Sequence, residues 1–600
     1  MTDALEQARA EAAAAVAAAE KARQDAVAAL ARAERLAEAA VDVVRAGYGF
    51  DGPALELGAL VNGEARADVP VRIPLAVLNR HGLVAGATGT GKTKTLQVLA
   101  EQLSAAGVPV FAADVKGDLS GIATPGVASD KLLERTRGIG QDWSPQAAPT
   151  EYFALGGKGT GVPVRATVSG FGSLLLSKVL GLNDTQESSL GLVFHYAEQA
   201  GLPLLDLTDL RAVLTWLTSD EGKGELDGLG GLSKQTVGVI LRELITFADR
   251  GADAFFGEPE IDTAEFLRTT DDGRGVVSLL EVPGVHDQPA LFSTFLMWLL
   301  ADLYNDLPEV GDLDKPKLVF FFDEAHLLFA DASKEFLAQI TQTVRLIRSK
   351  GVGIVFVTQT PKDVPGEVLA QLGSRVQHQL RAFTPDDAKA LRATVSTYPT
   401  SDYDLAEVLT TLATGEAVVT VMNEKGAPSP VSWTRLRAPR GSMSPTPADV
   451  MTAAVAASPL ITAYGTPIDR DSAREMLARK LEAAALDHRE RTEAVARQAT
   501  IDARLKEAAA RERADAKAAT AAERERRAAQ AEYERQQRDF EKAERAAADA
   551  RARRGRSTRA SSGGRSSGGG GLIGDVLGST AGKAVVREVV KGIFGTLRRR

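Results

Sequence analysis

The tightest constraint in the chain is eight residues long: Gly86-Ala87-Thr88-Gly89-Thr90-Gly91-Lys92-Thr93, a complete G-x-x-x-x-G-K-[ST] phosphate-binding loop. Its flanks agree with it. The strand-like run His81–Ala85 precedes it, and the helix-like run KTLQVLAEQLSAAG follows. The glycines let successive backbone N–H groups curl around a phosphate, and the amino terminus of the next helix adds positive potential. Residues Gly86 to Thr93 are therefore expected to bind ATP. Lys92 would bridge the β- and γ-phosphates, and Thr93 would ligate Mg2+. A loop of this kind works only between a strand and a helix, which commits the chain to an α/β core.

The surrounding texture fits. From about Gly58 to Arg440, short apolar runs alternate with longer helical stretches. The runs are His81–Ala85, Val108–Val115, Gly275–Val282, Leu318–Phe322, Gly353–Thr358, Val376–Leu380 and Glu416–Met422. Continuous rather than alternating apolarity predicts strands buried on both faces, as in a parallel sheet flanked by helices. Between about 120 and 270 helical patterns dominate, including Asp184–Ala200 and Ser233–Ala248, and this reads as a largely helical insertion. A separate helical domain is the alternative.

Two further strand ends carry candidate chemistry. In Lys317-Leu-Val-Phe-Phe-Phe-Asp323-Glu324-Ala-His326 an apolar run ends in two acids, the Walker B form. A strand ending in two acids is common by itself, but beside a full phosphate loop it is specific. Asp323 would help hold Mg2+, and Glu324 would polarise an attacking water. In Gly353-Ile-Val-Phe-Val-Thr358-Gln359-Thr-Pro361 a buried strand ends in a polar pair. Gln359 is the candidate γ-phosphate sensor and Thr358 the alternative.

Composition bounds the rest. The 600 residues contain no cysteine, which excludes disulfides, thiolate metal sites and cysteine nucleophiles. The most apolar stretch, Leu291–Leu303, is too short to span a bilayer and contains Asp302. The amino terminus lacks a secretory pattern, so a soluble cytoplasmic protein is expected. Charge is uneven: residues 1–470 carry −18 and residues 551–600 carry +10. The acidic body argues against a broad nucleic-acid-coating surface but leaves room for a narrow basic channel.

The expected organisation is an Ala-rich helix over 1–46, an α/β ATPase domain over 47–440, and a linker over 441–469. A long charged helix or coiled coil over 470–553, a Gly/Ser/Arg linker over 554–571 and a basic amphipathic helix over 572–600 follow. The last could contact an anionic membrane or dock on the protein itself.

The segments ADVKGDLSGIA, LLEVPGVHDQP, FFFDEAHLLF, RLIRSKGVGIVFVTQTPKDVP and LGSRVQHQLRAFTPDDAKAL, with the terminal VVREVVKGIFGTLRRR, resemble the HerA-like, YjgR-type branch of the HerA/FtsK superfamily. The resemblance covers about 47–440 and the last thirty residues. It implies a RecA-like P-loop core, Mg2+-dependent ATP hydrolysis with Glu324 as base, and a self-assembled, hexameric ring that moves DNA. It also implies an arginine reaching a neighbour's γ-phosphate. Arg375 is the preferred candidate, with Arg381, Arg345 and Arg348 behind it. Lys116, Lys334, Arg345, Arg348 and Lys350 are candidate polymer contacts. The competing reading is an ATP-switched scaffold whose helical arms bind an unknown protein partner. A membrane-attached coupling ATPase is a third.

Overall fold

The computed structural model describes residues 36–226, 230–281, 289–311, 313–329 and 334–551. The expectations for residues 1–35, for the 554–571 linker and for the 572–600 helix lie outside them. The chain divides into two compact units, 1–490 and 491–600.

The first unit is built on one twelve-stranded sheet. Its strands are β1 (Ala54–Asn62), β2 (Glu64–Pro74), β3 (Gly82–Ala85), β4 (Val110–Asp114), β5 (Thr150–Leu155) and β6 (Val162–Val164). They continue with β7 (Val277–Glu281), β8 (Leu318–Phe322), β9 (Val352–Thr358), β10 (Ser374–Gln377), β11 (Glu416–Thr420) and β12 (Ser432–Leu436). The order across the sheet is β2-β1-β12-β11-β10-β3-β9-β8-β4-β7-β5-β6. From β10 to β6 every pairing is parallel. From β10 back to β2 every pairing is antiparallel. This is the expected α/β core with a parallel sheet, extended by an antiparallel wing.

Alternate residues of the parallel strands feed opposite faces. Phe111, Phe320 and Phe322 point into one apolar core, and Val110, Ala112, Val319 and Phe321 into the other. The first core is aromatic: the Phe111 ring lies 5.0 Å from Phe266 and 5.3 Å from Phe320. The second is closed by the helix Lys92–Ala105 through Leu96, Leu99 and Leu103. Burial on both faces is why these strands are continuously apolar.

Three expectations are amended by the structure. The stretch 120–270, expected to be largely helical, also carries strands. It has the expected helices Asp184–Gln199 and Lys234–Asp249, but it also supplies β5 and β6, which pair with β7 at the sheet's edge. It therefore belongs to the α/β unit. Second, β1, β2 and β12 were missed because charged residues interrupt them: Glu56, Arg72 and Arg435 alternate with buried positions such as Leu55, Leu57, Val71 and Leu436. The Asn62-Gly63 pair joining β1 to β2, with Gly63 at φ 79°, was the available hairpin signal. Third, 441–469 is not a free linker. Helices Ala448–Ala457 and Pro459–Tyr464 lie there and bury Met451 and Leu460. Just before them, the Thr446 hydroxyl donates to the Ser120 carbonyl at 2.7 Å. Prolines that start helices resemble linker prolines in composition alone.

The helix Ala473–Arg551 begins in the first unit, where Ala473 and Leu477 are buried and Arg474 N donates to Asp209 Oδ1 at 3.0 Å. From Arg491 to Arg545 its residues are exposed, and ion pairs such as Arg511–Glu507 at 3.0 Å and Arg527–Glu523 at 2.9 Å join successive turns.

Candidate active site

In an open parallel sheet, ligands gather at the carboxyl ends of the strands. Here β9 separates β3 from β8, so the phosphate loop, the Thr358–Gln359 pair and Asp323–Glu324 leave three adjacent strands at the same edge. Gly86 N donates to Thr358 O at 3.1 Å and Ala325 N to Val357 O at 2.7 Å, which ties the loop and the acidic turn to the strand between them.

Gly86 and Gly91 hold φ values of 154° and 108°, where a side chain would be strained. At Gly86 a Cβ would also lie 2.5 Å from His378 Cβ. The Thr90 hydroxyl donates to Ala87 O at 2.8 Å. Lys92 is buried and its ammonium donates to Gly86 O at 2.6 Å and Ala87 O at 3.2 Å. Burial pushes its pKa down, and the Glu324 charge partly opposes this. The helix starting at Lys92 leaves its first-turn N–H groups without intrahelical partners, and these face the loop. Thr93 is half-buried in that turn.

His378 was not singled out from the sequence. It follows β10 and is fully buried under the loop, with Nδ1 3.1 Å from Thr90 O and Nε2 3.0 Å from the Thr95 hydroxyl. A carbonyl can only accept, so Nδ1 carries the proton. Burial, reinforced by the Lys92 charge, pushes the imidazole pKa down to about 4, which leaves it neutral. It acts as a polar wedge that fixes the loop from below. In the sequence it is one polar residue within the run Val376–Leu380, with nothing to mark it.

The acids form a row. β8, β4 and β7 are neighbours, and Asp114 of β4 lies opposite Glu281 of β7. Asp323 extends β8 to the same level. Burial, then the neighbouring Glu324 charge, pushes the Asp323 carboxyl up to about 6. Burial, with the Asp114 charge added, pushes Glu281 up to about 7, and its Oε1 has no hydrogen-bond partner among the described residues.

Glu324 is the most unusual residue of the site. It is 4 % exposed and sits at φ +50°. Among the described residues only His81 shares a positive φ without being glycine. Such backbone costs on the order of 1–3 kcal/mol and persists where the surroundings over-determine it. Here Glu324 N donates to Asp323 Oδ1 at 3.0 Å, and Oε1 accepts a short hydrogen bond from Lys116. His326 Nδ1 comes within 3.2 Å of Oε2 but not in hydrogen-bonding geometry, so Oε2 is a buried oxygen without a hydrogen bond. Burial pushes the Glu324 pKa up, but Lys116, aided by His326 and Lys92, outweighs it and holds the carboxyl below its usual range.

The remaining candidates divide. Gln359 is exposed at the strand end, whereas the Thr358 side chain is buried and donates to Asp363 Oδ2 at 2.7 Å, so Thr358 is taken up structurally. Arg381 donates to Thr88 O of the phosphate loop at 3.2 Å. Arg375 opens β10 opposite Leu83, toward the other edge of the sheet from its own loop, and donates to the Thr397 hydroxyl at 2.7 Å. Arg348 and Lys350 precede β9 and so also lie at that far edge, as does Arg345 in the last turn of the helix Lys334–Ile347. Of the basic polymer candidates, Lys116 alone touches the acidic turn in this structure.

The sequence model for the family described as helicase HerA-like C-terminal matches residues 60–525. The chain belongs to the HerA-like helicase family. A probable helicase of Methanocaldococcus jannaschii is 24% identical over 391 residues, which is 62% of this chain and 68% of that protein. The DNA double-strand break repair helicase HerA of Sulfurisphaera tokodaii is 23% identical over 377 residues, 62% and 67% of the two chains. Among solved structures, the bacterial conjugative coupling protein TrwB overlays with a TM-score of 0.46 at 16% identity, covering 68% of this chain and 95% of that one. In this HerA-like chain, no described helix is long and apolar enough to cross a membrane.

Proposed function

We propose that this HerA-like chain is an Mg2+-dependent ATP hydrolase that works as a ring of its own copies and moves DNA. The observation that carries the hydrolase reading is Glu324: a buried carboxylate on strained backbone, beside Asp323 and one strand removed from a complete phosphate loop. The donor set suits the ligand. Loop and first-turn N–H groups with the Lys92 ammonium match polyphosphate oxygens. The Thr93 hydroxyl and Asp323 carboxylate are hard oxygen donors of the kind Mg2+ takes. When bound, Mg2+ would neutralise charge on the phosphates.

In this reading Lys92 grips the β- and γ-phosphates and Glu324 orients and deprotonates the attacking water. Gln359, exposed at the end of β9, senses the γ-phosphate. A neighbouring chain supplies an arginine worth 10³–10⁵ in rate in related chemistry. Arg375 is the candidate, because it bonds Thr397 and no residue of its own loop, while Arg381 donates to Thr88 in cis. DNA as the polymer rests on the names of the HerA relatives.

One observation favours the scaffold alternative: the helix, exposed from Arg491 to Arg545, carries apolar side chains such as Ile501, Leu505 and Phe540 that a protein partner could cover. The test is the ATP hydrolysis rate with and without duplex and single-stranded DNA at moderate salt, with Lys92→Ala as control. The motor reading expects several-fold stimulation by DNA that the control loses. Hydrolysis indifferent to DNA would favour the scaffold.

A further inference from the structure

We infer that Lys116 is a latch on Glu324, released when a DNA phosphate takes its ammonium. This rests on the reading of Glu324 as the hydrolytic base. The two residues are 208 positions apart, yet Lys116 Nζ donates directly to Glu324 Oε1. Their exposures are opposite: 45% for the Lys116 side chain and 6% for that of Glu324. One side chain thus spans from solvent to the oxygen that must accept a proton from water. A base whose lone pair is held by an ammonium is a poor base, and the other oxygen, Oε2, faces His326. The resting geometry is one of restrained hydrolysis.

The loop is built so that Lys116 can leave without unravelling it. Leu119 N donates to the buried Asp114 Oδ2 at 2.8 Å, and the Ser120 hydroxyl to Gly117 O at 2.7 Å. These bonds anchor the turn just beyond Lys116. Gly117 has φ 73° and open space around it. A lysine on a flexible stem, with three rotatable donors, can exchange a carboxylate for a phosphate oxygen. The exchange leaves Glu324 a buried carboxylate with only the Lys92 and His326 charges near it to favour its ionised form, so it has to be driven by the incoming phosphates. Asp118, exposed beside it, repels a lone phosphate, so release needs the dense charge of a polymer. The same ammonium cannot hold both, which makes DNA contact and freeing of Glu324 one event.

The test compares steady-state ATP hydrolysis by the full chain, Lys116→Ala, Lys116→Arg and Lys116→Ala/Glu324→Gln, with and without linear duplex DNA. Lys116→Ala should hydrolyse several-fold faster than the parent without DNA, near the parent's stimulated rate. Its KM for ATP should be unchanged, and DNA should add little. Lys116→Arg should restore a low basal rate, and the double variant should be silent, because the gain passes through Glu324. Lys116→Gln serves if Lys116→Ala melts early. A Lys116→Ala rate at or below the parent's overturns the latch and leaves the hydrolase reading intact. A faster Lys116→Ala beside a parent indifferent to DNA overturns DNA as the releasing ligand. No hydrolysis by any form, matching Lys92→Ala, overturns the latch and the hydrolase reading together.

Discussion

The body of the first unit and the helix of the second solve the same problem in opposite ways. In the body, each parallel strand buries both faces, and Phe111, Phe320 and Phe322 are at most 1 % exposed. In the helix beyond Glu490, described side chains are exposed turn after turn, and neighbouring charges pair at i,i+4. One region draws its stability from contacts between residues hundreds of positions apart, and the other from contacts within five. Chemistry that needs several groups at one point can be built only in the first. The strained Glu324, the buried Lys92 and the wedge of His378 all depend on surroundings that a lone helix does not have.

The largest loss is expected at Glu324. Replacing it with Gln keeps shape but removes the base, so turnover should fall by about 10²–10⁴-fold while nucleotide stays bound. Near-normal turnover in a phosphate-release assay, alongside retained binding of a fluorescent ATP analogue, would remove Glu324 from the mechanism. Next comes Phe320→Ala, which empties the aromatic core under the Walker B strand. It should lower stability by about 3–5 kcal/mol in denaturant titration. At the small end, Glu507→Ala breaks one exposed pair with Arg511 and should change stability by no more than about 0.5 kcal/mol. A large effect there would mean that this helix is packed against something in solution, and the contrast would fail.

Much of the site was legible because its signals are local. The phosphate loop is eight consecutive residues, and Asp323 and Glu324 end an uninterrupted apolar run. The inner parallel strands are legible for the same reason: double-sided burial leaves a continuous apolar signature. The antiparallel strands β1, β2 and β12 were not, since charged positions break the run. The edge strands β5 and β6 were hidden by the helical patterns around them. The Pro-rich stretch before the long helix reads as a linker because composition does not distinguish a proline that starts a helix from one that ends order.

Local patterns thus commit this chain to a P-loop, an acidic strand end and an α/β sheet to hold them. Neighbours across the site come from the folded sheet: Lys116 on Glu324, His378 under Thr90 and Thr95, and Arg381 rather than Arg375 on the loop. The reason is physical. Spacing along the chain controls which residues share one strand end or one helical turn, whereas partners 208 or 283 positions apart meet only through strand order. That order is set by burying the whole sheet, and no short stretch of sequence carries it.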